Sequence, residues 1–141
     1  MVNTAVNLSG MQMDNPVIPA SGTFGYGYEF TEWYDINVLG SFSFKGTTRE
    51  PRFGNPTPRI AECPMGMINA VGLQNPGVDK VIAEELPKLK KCFHKPVIAN
   101  ISGFSVEEYV YVHDTVMVDS SAVFCIFGCI RSAHLPFYTL A

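Results

Sequence analysis

The chain is poor in charged residues and lacks the signatures of several common protein classes. Charged residues make up 16% of its 141 residues, below the roughly 25% of a typical soluble domain. Its net charge is −3, and its basic residues form no extended cluster, so the sequence predicts no nucleic-acid partner. It also contains no uninterrupted apolar run of about 18 residues, the least that a membrane-spanning helix needs. We therefore predict no membrane segment.

Patterns for metal binding, disulfide frameworks and secretion are missing as well. The cysteines form no C-x-x-C pair of the kind found in zinc or thioredoxin-like sites, and the histidines show no metal-ligand spacing. The first residues lack the basic and apolar regions of a signal peptide. We therefore expect a cytoplasmic protein with reduced cysteines and no metal. The residues concerned are Cys63, Cys92, Cys125, Cys129, His94, His113 and His134.

Short apolar segments alternate with helical patterns along most of the chain. Apolar strands that alternate with helices predict an α/β fold with a parallel sheet covered on both faces. Pro87 is expected to break or restart the second predicted helix, because proline lacks the N–H donor and clashes with the preceding turn. The predicted elements are a hairpin of residues 4–8 and 11–13, strands at 15–21, 38–44, 96–101 and 122–127, and helices at 28–35, at 77–92 and from Ser105 onward.

Polar residues follow three of these predicted strands where each strand ends. Ser21, Lys45 and Asn100 occupy these positions, and in parallel α/β folds ligands bind at the carboxyl ends of strands. Each residue also has a simpler interpretation, since a lysine at a strand end can extend to solvent and an asparagine there is common in turns. The glycines of residues 22–27 are spaced G-x-x-G-x-G, which is not the dinucleotide fingerprint. That segment is either a turn or a ligand-binding loop.

Two unusual loops lie between the second and third of these strands. The first, which we call the arginine loop (residues 49–59), combines Arg49, Arg52 and Arg59 with several prolines. It is typical of a rigid surface loop, an interface or a structural latch. The second, the amide loop (residues 69–77), carries the side-chain amides of Asn69, Gln74 and Asn75. Such amides suit a planar substrate with amide and carboxylate edges, but an ordinary turn-rich loop explains them equally well.

Taken together, these segments resemble the dihydroorotate dehydrogenase family. The order and spacing of the motifs carry the resemblance, which covers about residues 4–112 and is strongest to the NAD-linked subclass (type 1B). The matching stretches are Asn15-Pro-Val-Ile-Pro-Ala-Ser-Gly-Thr-Phe-Gly25, Lys45-Gly-Thr-Thr48, Glu50-Pro-Arg-Phe-Gly-Asn-Pro-Thr-Pro-Arg59, Asn69-Ala-Val-Gly-Leu-Gln-Asn-Pro-Gly77 and Pro96-Val-Ile-Ala-Asn-Ile101.

The resemblance implies a fold, a reaction and a set of site residues. The family fold is a (β/α)8 barrel with FMN at the C-terminal mouth, so this chain is expected to form the N-terminal half of a TIM barrel, preceded by a β-hairpin. The implied activity is that of an oxidoreductase that converts dihydroorotate to orotate in de novo pyrimidine (UMP) biosynthesis. The residues implied for FMN are Ser21, Lys45, Gly46 and Asn100, and those for dihydroorotate are Lys45, Asn69, Ala70, Val71, Gly72 and Leu73.

The sequence departs from the family in one catalytic motif and in its last segment. The family's Asn-x-Ser-Cys-Pro-Asn loop, which supplies the cysteine base, is absent, and the neighbours of Cys129 do not match it. We therefore assign no catalytic residue. Residues 1–112 are expected to form a partial barrel domain, and 113–141 a divergent tail that also lacks the later loops for the FMN phosphate. A truncated or frame-shifted gene product is one hypothesis for this change.

Three functions remain open from the sequence. The chain is a flavin-dependent redox subunit, a non-catalytic remnant of one, or an interaction module that uses the arginine loop. By resemblance its partners are dihydroorotate and orotate, together with an iron–sulfur electron-transfer subunit that contains FAD.

The first testable prediction concerns the oligomeric state. Half of a barrel leaves two strand edges unpaired, and such edges pair readily with other chains. We expect the isolated chain to self-associate and to elute from a size-exclusion column ahead of a 15.5 kDa monomer. A stable monomeric peak would contradict this expectation.

Overall fold

The computed structural model describes residues 2–119, 123–129 and 139–140, the last two ranges through their backbone. His134 and much of the predicted tail lie outside the described residues. Its strands are β1 (Val6–Leu8), β2 (Met11–Met13), β3 (Ile60–Cys63), β4 (Gly66–Asn69), β5 (Val97–Gly103), β6 (Val123–Cys129) and β7 (Thr139–Leu140). Its α-helices are α1 (Ser21–Phe24), α2 (Val78–Lys80), α3 (Leu86–Lys90) and α4 (Val106–Asp119). Two 3₁₀ turns span Tyr28–Glu32 and Ile36–Val38, and a π-helical turn spans Val81–Glu85.

The molecule has α/β content with small sheets. β5 and β6 pair in parallel over their full length, and Ser43 and Thr47 add parallel bridges to the other side of β5. The sequence prediction of parallel strands is confirmed here. The remaining sheets are antiparallel, one formed by β1 and β2 and the other by β3, β4 and β7.

The N-terminal hairpin and the helix after β5 are confirmed as predicted. β1 and β2 pair in register from Val6 with Met13 to Leu8 with Met11. Helix α4 follows Ser105, whose hydroxyl accepts from the Glu108 amide at 3.3 Å, while Glu108 accepts from the Phe104 amide at 2.6 Å. This exchange is a capping box displaced by one residue, and it satisfies two amides at the helix start.

The prediction of a strand at residues 15–21 is wrong, because this segment pairs with no strand among the described residues. The segment has no strand assignment, and α1 begins at its last residue. Pro16 and Pro19 remove two of its amide donors, and the Val17 carbonyl accepts from the amides of Gly40 and Ser41. The second predicted strand, at 38–44, contributes only the bridge at Ser43. These two segments run beside the sheet without forming regular ladders.

The helical run continues through Pro87, which lies in the first turn of α3, so the predicted restart is confirmed and a break is not seen. Helix α2, the π-helical turn and α3 follow one another without a gap, and we call them the 78–90 helix. Within the π turn the Leu86 amide donates to the Val81 carbonyl five residues back. We attribute the wide turn to the proline ring, which would crowd the carbonyl of Ala83 in a regular α-helix.

The core lies between the parallel strands and the helices. Phe42 and Phe44 are fully buried, and Phe42 packs edge-on against Phe24 and Phe93 with ring centroids 5.1 Å apart in each pair. Gly27 adopts φ +84°, and a Cβ there would lie 2.8 Å from the Phe42 ring. The glycine therefore allows the 22–27 loop to turn tightly over this ring.

The loop after Phe24 is tied to the 78–90 helix by a small polar network. The Tyr28 hydroxyl donates to Glu85 Oε2 at 2.6 Å, and Lys88 Nζ donates to Glu85 Oε1 at 3.2 Å. Glu85 is only 8% exposed, so these two bonds satisfy a largely buried carboxylate. The first of these bonds also raises the pKa of Tyr28, because the phenol donates to the carboxylate.

A conservative substitution measures this network. Tyr28→Phe is expected to lower the free energy of unfolding by about 1.5–2 kcal/mol, the value of a hydrogen bond to a charged group. Since the folded state raises the Tyr28 pKa, this contribution is present below pH 10 and is lost as the pH rises through the raised value. Urea unfolding at several pH values checks the prediction, with Tyr34→Phe as the exposed control. Equal losses in the two variants would contradict it.

Candidate functional site

The polar residues predicted at strand ends meet in the folded chain, although Ser21 begins α1 and Asn100 lies in the middle of β5 rather than at its end. Asn100 on β5 donates through Nδ2 to Ser21 Oγ at the start of α1, at 2.8 Å. A Cβ built on Gly46 would lie 3.6 Å from Asn100 Nδ2 and 2.9 Å from Leu73 Cδ1. Four of the residues that the sequence singles out, Ser21, Gly46, Leu73 and Asn100, therefore form one cluster, which we call the strand-end cluster.

Lys45 immediately precedes Gly46 of this cluster and is partly removed from water. Its amide donates to the Gly25 carbonyl at 2.9 Å, which joins the loop of residues 22–27 (the glycine loop) to the segment at Lys45. Burial lowers the pKa of its ammonium group. Among the described residues it makes no ion pair. A partly desolvated cation without an acidic partner is suited to an anionic or electron-rich ligand.

The amide loop is held in place by the arginine loop. The Asn55 amide donates to the Val71 carbonyl at 2.9 Å, and Asn55 Nδ2 donates to the Ala70 carbonyl at 2.8 Å. The Ala70 amide in turn donates to the Arg59 carbonyl at 2.8 Å. Gly54 sits against this seam at φ +80°, where a Cβ would lie 2.2 Å from the Val71 carbonyl oxygen. The arginine loop thus acts as the structural latch that was one of its three sequence interpretations.

Arg52 and Arg59 are not simply solvated arginines. Arg59 Nη1 donates to the carbonyls of Phe53 and Asn55 within its own loop, at 3.1 and 3.3 Å. Arg52 exchanges backbone hydrogen bonds with Asn75 at 2.8 and 3.0 Å. Its guanidinium carbon also lies 4.6 Å above the Phe104 ring, in a cation–π arrangement.

Asn75 serves the protein's own backbone rather than a ligand. It is 5% exposed. Its Oδ1 accepts from the amides of Thr48 and Gly77, at 3.1 and 3.0 Å. Its Nδ2 donates to the Leu73 carbonyl at 2.9 Å and to Thr48 Oγ1 at 3.0 Å. The interpretation of this amide as a substrate contact is therefore replaced by a bracing role.

Other predicted residues are placed less directly. Asn69 ends β4 and pairs with Ile60, and Gly72 lies against Asn55. Sequence reasoning missed Asn55 as a brace, and the only available signal was its place in the quoted arginine-loop motif. It also missed the hairpin β3–β4, which occupies a stretch interpreted as loop. A cavity of about 890 Å³ lies between α4 and the 78–90 helix and is lined by Ile82, Val110 and Tyr111, among others. None of the predicted site residues lines it.

Comparison with known proteins decides the family. The family model for dihydroorotate dehydrogenase matches residues 3–126. The chain belongs to the dihydroorotate dehydrogenase family. The match continues beyond position 112, where the resemblance noted from the sequence ends.

Several members of the dihydroorotate dehydrogenase family are more than half identical to this chain. Dihydroorotate dehydrogenase B (NAD(+)), catalytic subunit, of Bacillus caldolyticus is 58% identical over 116 residues, which cover 82% of this chain and 37% of the relative. The subunit of the same name from Streptococcus pneumoniae strain R6 is 57% identical over 108 residues, or 76% of this chain and 35% of the relative. The chain therefore spans just over a third of the length of these relatives. No helix among the described residues is long and apolar enough to cross a membrane.

Proposed function

We propose that this chain supplies part of the active site of an FMN-dependent dihydroorotate dehydrogenase, which oxidises dihydroorotate to orotate in pyrimidine biosynthesis. The observation that carries the proposal is the strand-end cluster with Lys45 beside it. Residues that the family resemblance assigns to FMN and to dihydroorotate come from four separate segments of sequence, and several of them meet there.

The described residues suit the ring system of FMN. Ser21 at the start of α1 and Asn100 within β5 offer hydroxyl and amide groups, and Gly46 leaves room for close approach. Lys45 adds a positive charge without an acidic partner, which would stabilise negative charge on a reduced flavin. When bound, FMN would accept a hydride from the substrate. The FMN phosphate is expected to be bound outside the residues described, since the family holds it through later loops.

The amide loop supports recognition of dihydroorotate. The substrate is a ring with amide groups and a carboxylate, and Asn69 can both donate and accept hydrogen bonds. Residues 70–73 offer backbone groups at a position fixed by Asn55 and Asn75. Lys45 provides the charge complement of the carboxylate.

We further propose that the described elements correspond to the N-terminal half of the family's (β/α)8 barrel. The parallel pairing of residues 43–47, β5 and β6 supports this assignment. Residues 1–112 would then form the partial barrel and 113–141 a divergent tail. By the same resemblance the partner is an iron–sulfur electron-transfer subunit containing FAD, and the relatives named NAD(+)-type catalytic subunits support this choice.

The absorbance spectrum of the purified chain after incubation with FMN tests the proposal. We expect bound flavin, detected as visible absorbance that stays with the protein through gel filtration. Reduction of a dye on addition of dihydroorotate would show that the chain itself turns over. A chain that binds flavin without turnover would supply the site but not the base. A chain that binds neither flavin nor orotate would overturn the proposal and favour the non-catalytic remnant.

A further inference from the structure

Lys45 also lines a cavity whose other lining residues are not among those assigned to flavin or substrate. This cavity has a volume of about 480 Å³, within the range of small-molecule sites. Its walls come from the glycine loop, the arginine loop, the amide loop and the first turn of the 78–90 helix. The charged residues among its lining are Lys45, Arg52 and Lys80, and no acidic residue lines it.

The positive charges of this cavity are only partly balanced. Lys80 Nζ lies 3.7 Å from Glu84 Oε2, and both side chains are about half exposed. Such an exposed pair holds its partners weakly. Arg52 makes no ion pair among the described residues. Its guanidinium instead makes the cation–π contact with the Phe104 ring described above. Two of the three cations therefore have no carboxylate beside them.

Unsatisfied hydrogen-bond donors occur at the same place. Within residues 2–119, two buried side-chain polar atoms lack a hydrogen-bond partner, namely Tyr26 Oη and Arg52 Nε. The Thr47 hydroxyl donates to the Lys45 carbonyl at 2.8 Å and lies close enough to Tyr26 to hydrogen-bond with its hydroxyl, so Arg52 Nε is the stronger of the two observations. Buried polar atoms without partners are rare in folded proteins, and both of these belong to residues that line this cavity.

We propose that this cavity is a binding site for a small oxyanion, a carboxylate or a phosphate, held by Arg52 and Lys80 with Tyr26 as a supporting donor. The oxygens of a carboxylate or phosphate accept hydrogen bonds. Arg52 and Lys80 can only donate, and the Tyr26 hydroxyl can act as a donor as well. The planar guanidinium of Arg52 matches two oxygens of such a group at once. The proposal does not depend on flavin chemistry, because neither Arg52 nor Lys80 belongs to the strand-end cluster.

Calorimetric titration of the full 141-residue chain tests the site, with sodium acetate and inorganic phosphate as separate probes at constant ionic strength. We expect saturable binding of at least one probe at one site per chain. Binding of acetate alone identifies a carboxylate site, and binding of phosphate alone identifies a phosphate site. Heats no larger than those of dilution with both probes would overturn the proposal.

Four variants separate a built site from general attraction to positive charge. Arg52→Gln is expected to weaken binding about tenfold or more, as for the loss of a hydrogen bond to a charged group, and Lys80→Gln severalfold. Lys91→Gln removes the same charge from the far end of the 78–90 helix, about 16 Å away at 1.5 Å per residue, and should leave binding unchanged. Tyr26→Phe should weaken binding, because it removes one supporting donor from the cavity.

The variants also guard against misfolding as an explanation. Lys80 and Lys91 are exposed, so their replacement is not expected to disturb the fold, and circular dichroism of each variant checks this. Equal weakening by Lys80→Gln and Lys91→Gln would overturn the proposal, since the effect would then follow net charge alone. Loss of dihydroorotate oxidation would not bear on these titrations, so the two proposals can fail separately.

Discussion

Replacing Lys45 by methionine is expected to weaken orotate binding by about 10- to 100-fold while making the chain slightly more stable. The loss follows from removing a charged hydrogen-bond donor, which contributes about 1.5–3 kcal/mol to binding. The gain in stability follows because the folded chain no longer holds a partly desolvated cation without an acidic partner. It should be no more than about 0.5 kcal/mol, because solvent screens a group that is only partly buried. Calorimetry with orotate and urea unfolding measure the two effects in the same preparations.

The pH dependence of stability provides an independent check on Lys45. Burial lowers the pKa of its ammonium group below the ordinary value of 10.5. Between the lowered value and 10.5 the unfolded chain binds more protons than the folded chain, so stability rises with pH across this window. The difference in the free energy of unfolding between Lys45→Met and the wild type should therefore shrink as the pH rises toward 10.5. Lys91→Met, an exposed control, should show neither effect, and a destabilised Lys45→Met variant that still binds orotate would contradict the prediction.

Replacing Asn75 by alanine is expected to produce the largest loss of stability among these substitutions, about 3 kcal/mol or more. The truncation leaves the amides of Thr48 and Gly77 without their acceptor, and the Leu73 carbonyl without its donor. Each buried group left unsatisfied costs about 1–3 kcal/mol. A loss of this size is a large part of the 5–15 kcal/mol that typically stabilises a domain. The midpoint of urea unfolding measures it.

Two further variants show whether the hydrogen bonds, rather than volume, cause this loss. Asn3→Ala removes a similar amide from an exposed site, where it accepts only from the Ala5 amide, and should change stability by less than about 0.5 kcal/mol. Asn75→Asp keeps the acceptor for Thr48 and Gly77 but cannot donate to Leu73. We expect it to fall between the wild type and Asn75→Ala at neutral pH. An Asn75→Ala chain as stable as Asn3→Ala would refute the bracing role.

Local patterns predicted those parts of the fold that depend on neighbouring residues. The hairpin at β1 and β2, the strand β5 and the start of α4 follow from alternation, an apolar run and a capping box, and all three appear in the structure. The strand predicted at 15–21 failed because Val17 gives its carbonyl to a distant segment, Gly40 and Ser41. No pattern within residues 15–21 reports that partner.

In the candidate site, too, the features set by local sequence could be predicted and those set by distant partners could not. The predicted strand ends indicated Ser21, Lys45 and Asn100. Ser21 and Asn100 do meet, but neither ends a strand in the structure. The function of Asn75 and Asn55 depends on partners 27 and 15 residues away in the sequence. An amide side chain has the same appearance in a sequence whether it binds a ligand or braces a loop, so only the folded contacts distinguish the two.

The bracing by Asn75 also couples ligand affinity to local stability. Its side chain connects Thr48, the amide loop and Gly77 just before the 78–90 helix. We therefore expect these segments to open together as one cooperative unit. A ligand that binds only the closed form stabilises that unit by mass action. Any substitution that favours the open form therefore lowers the apparent affinity of every ligand at this edge by a common factor, even where it touches none of them.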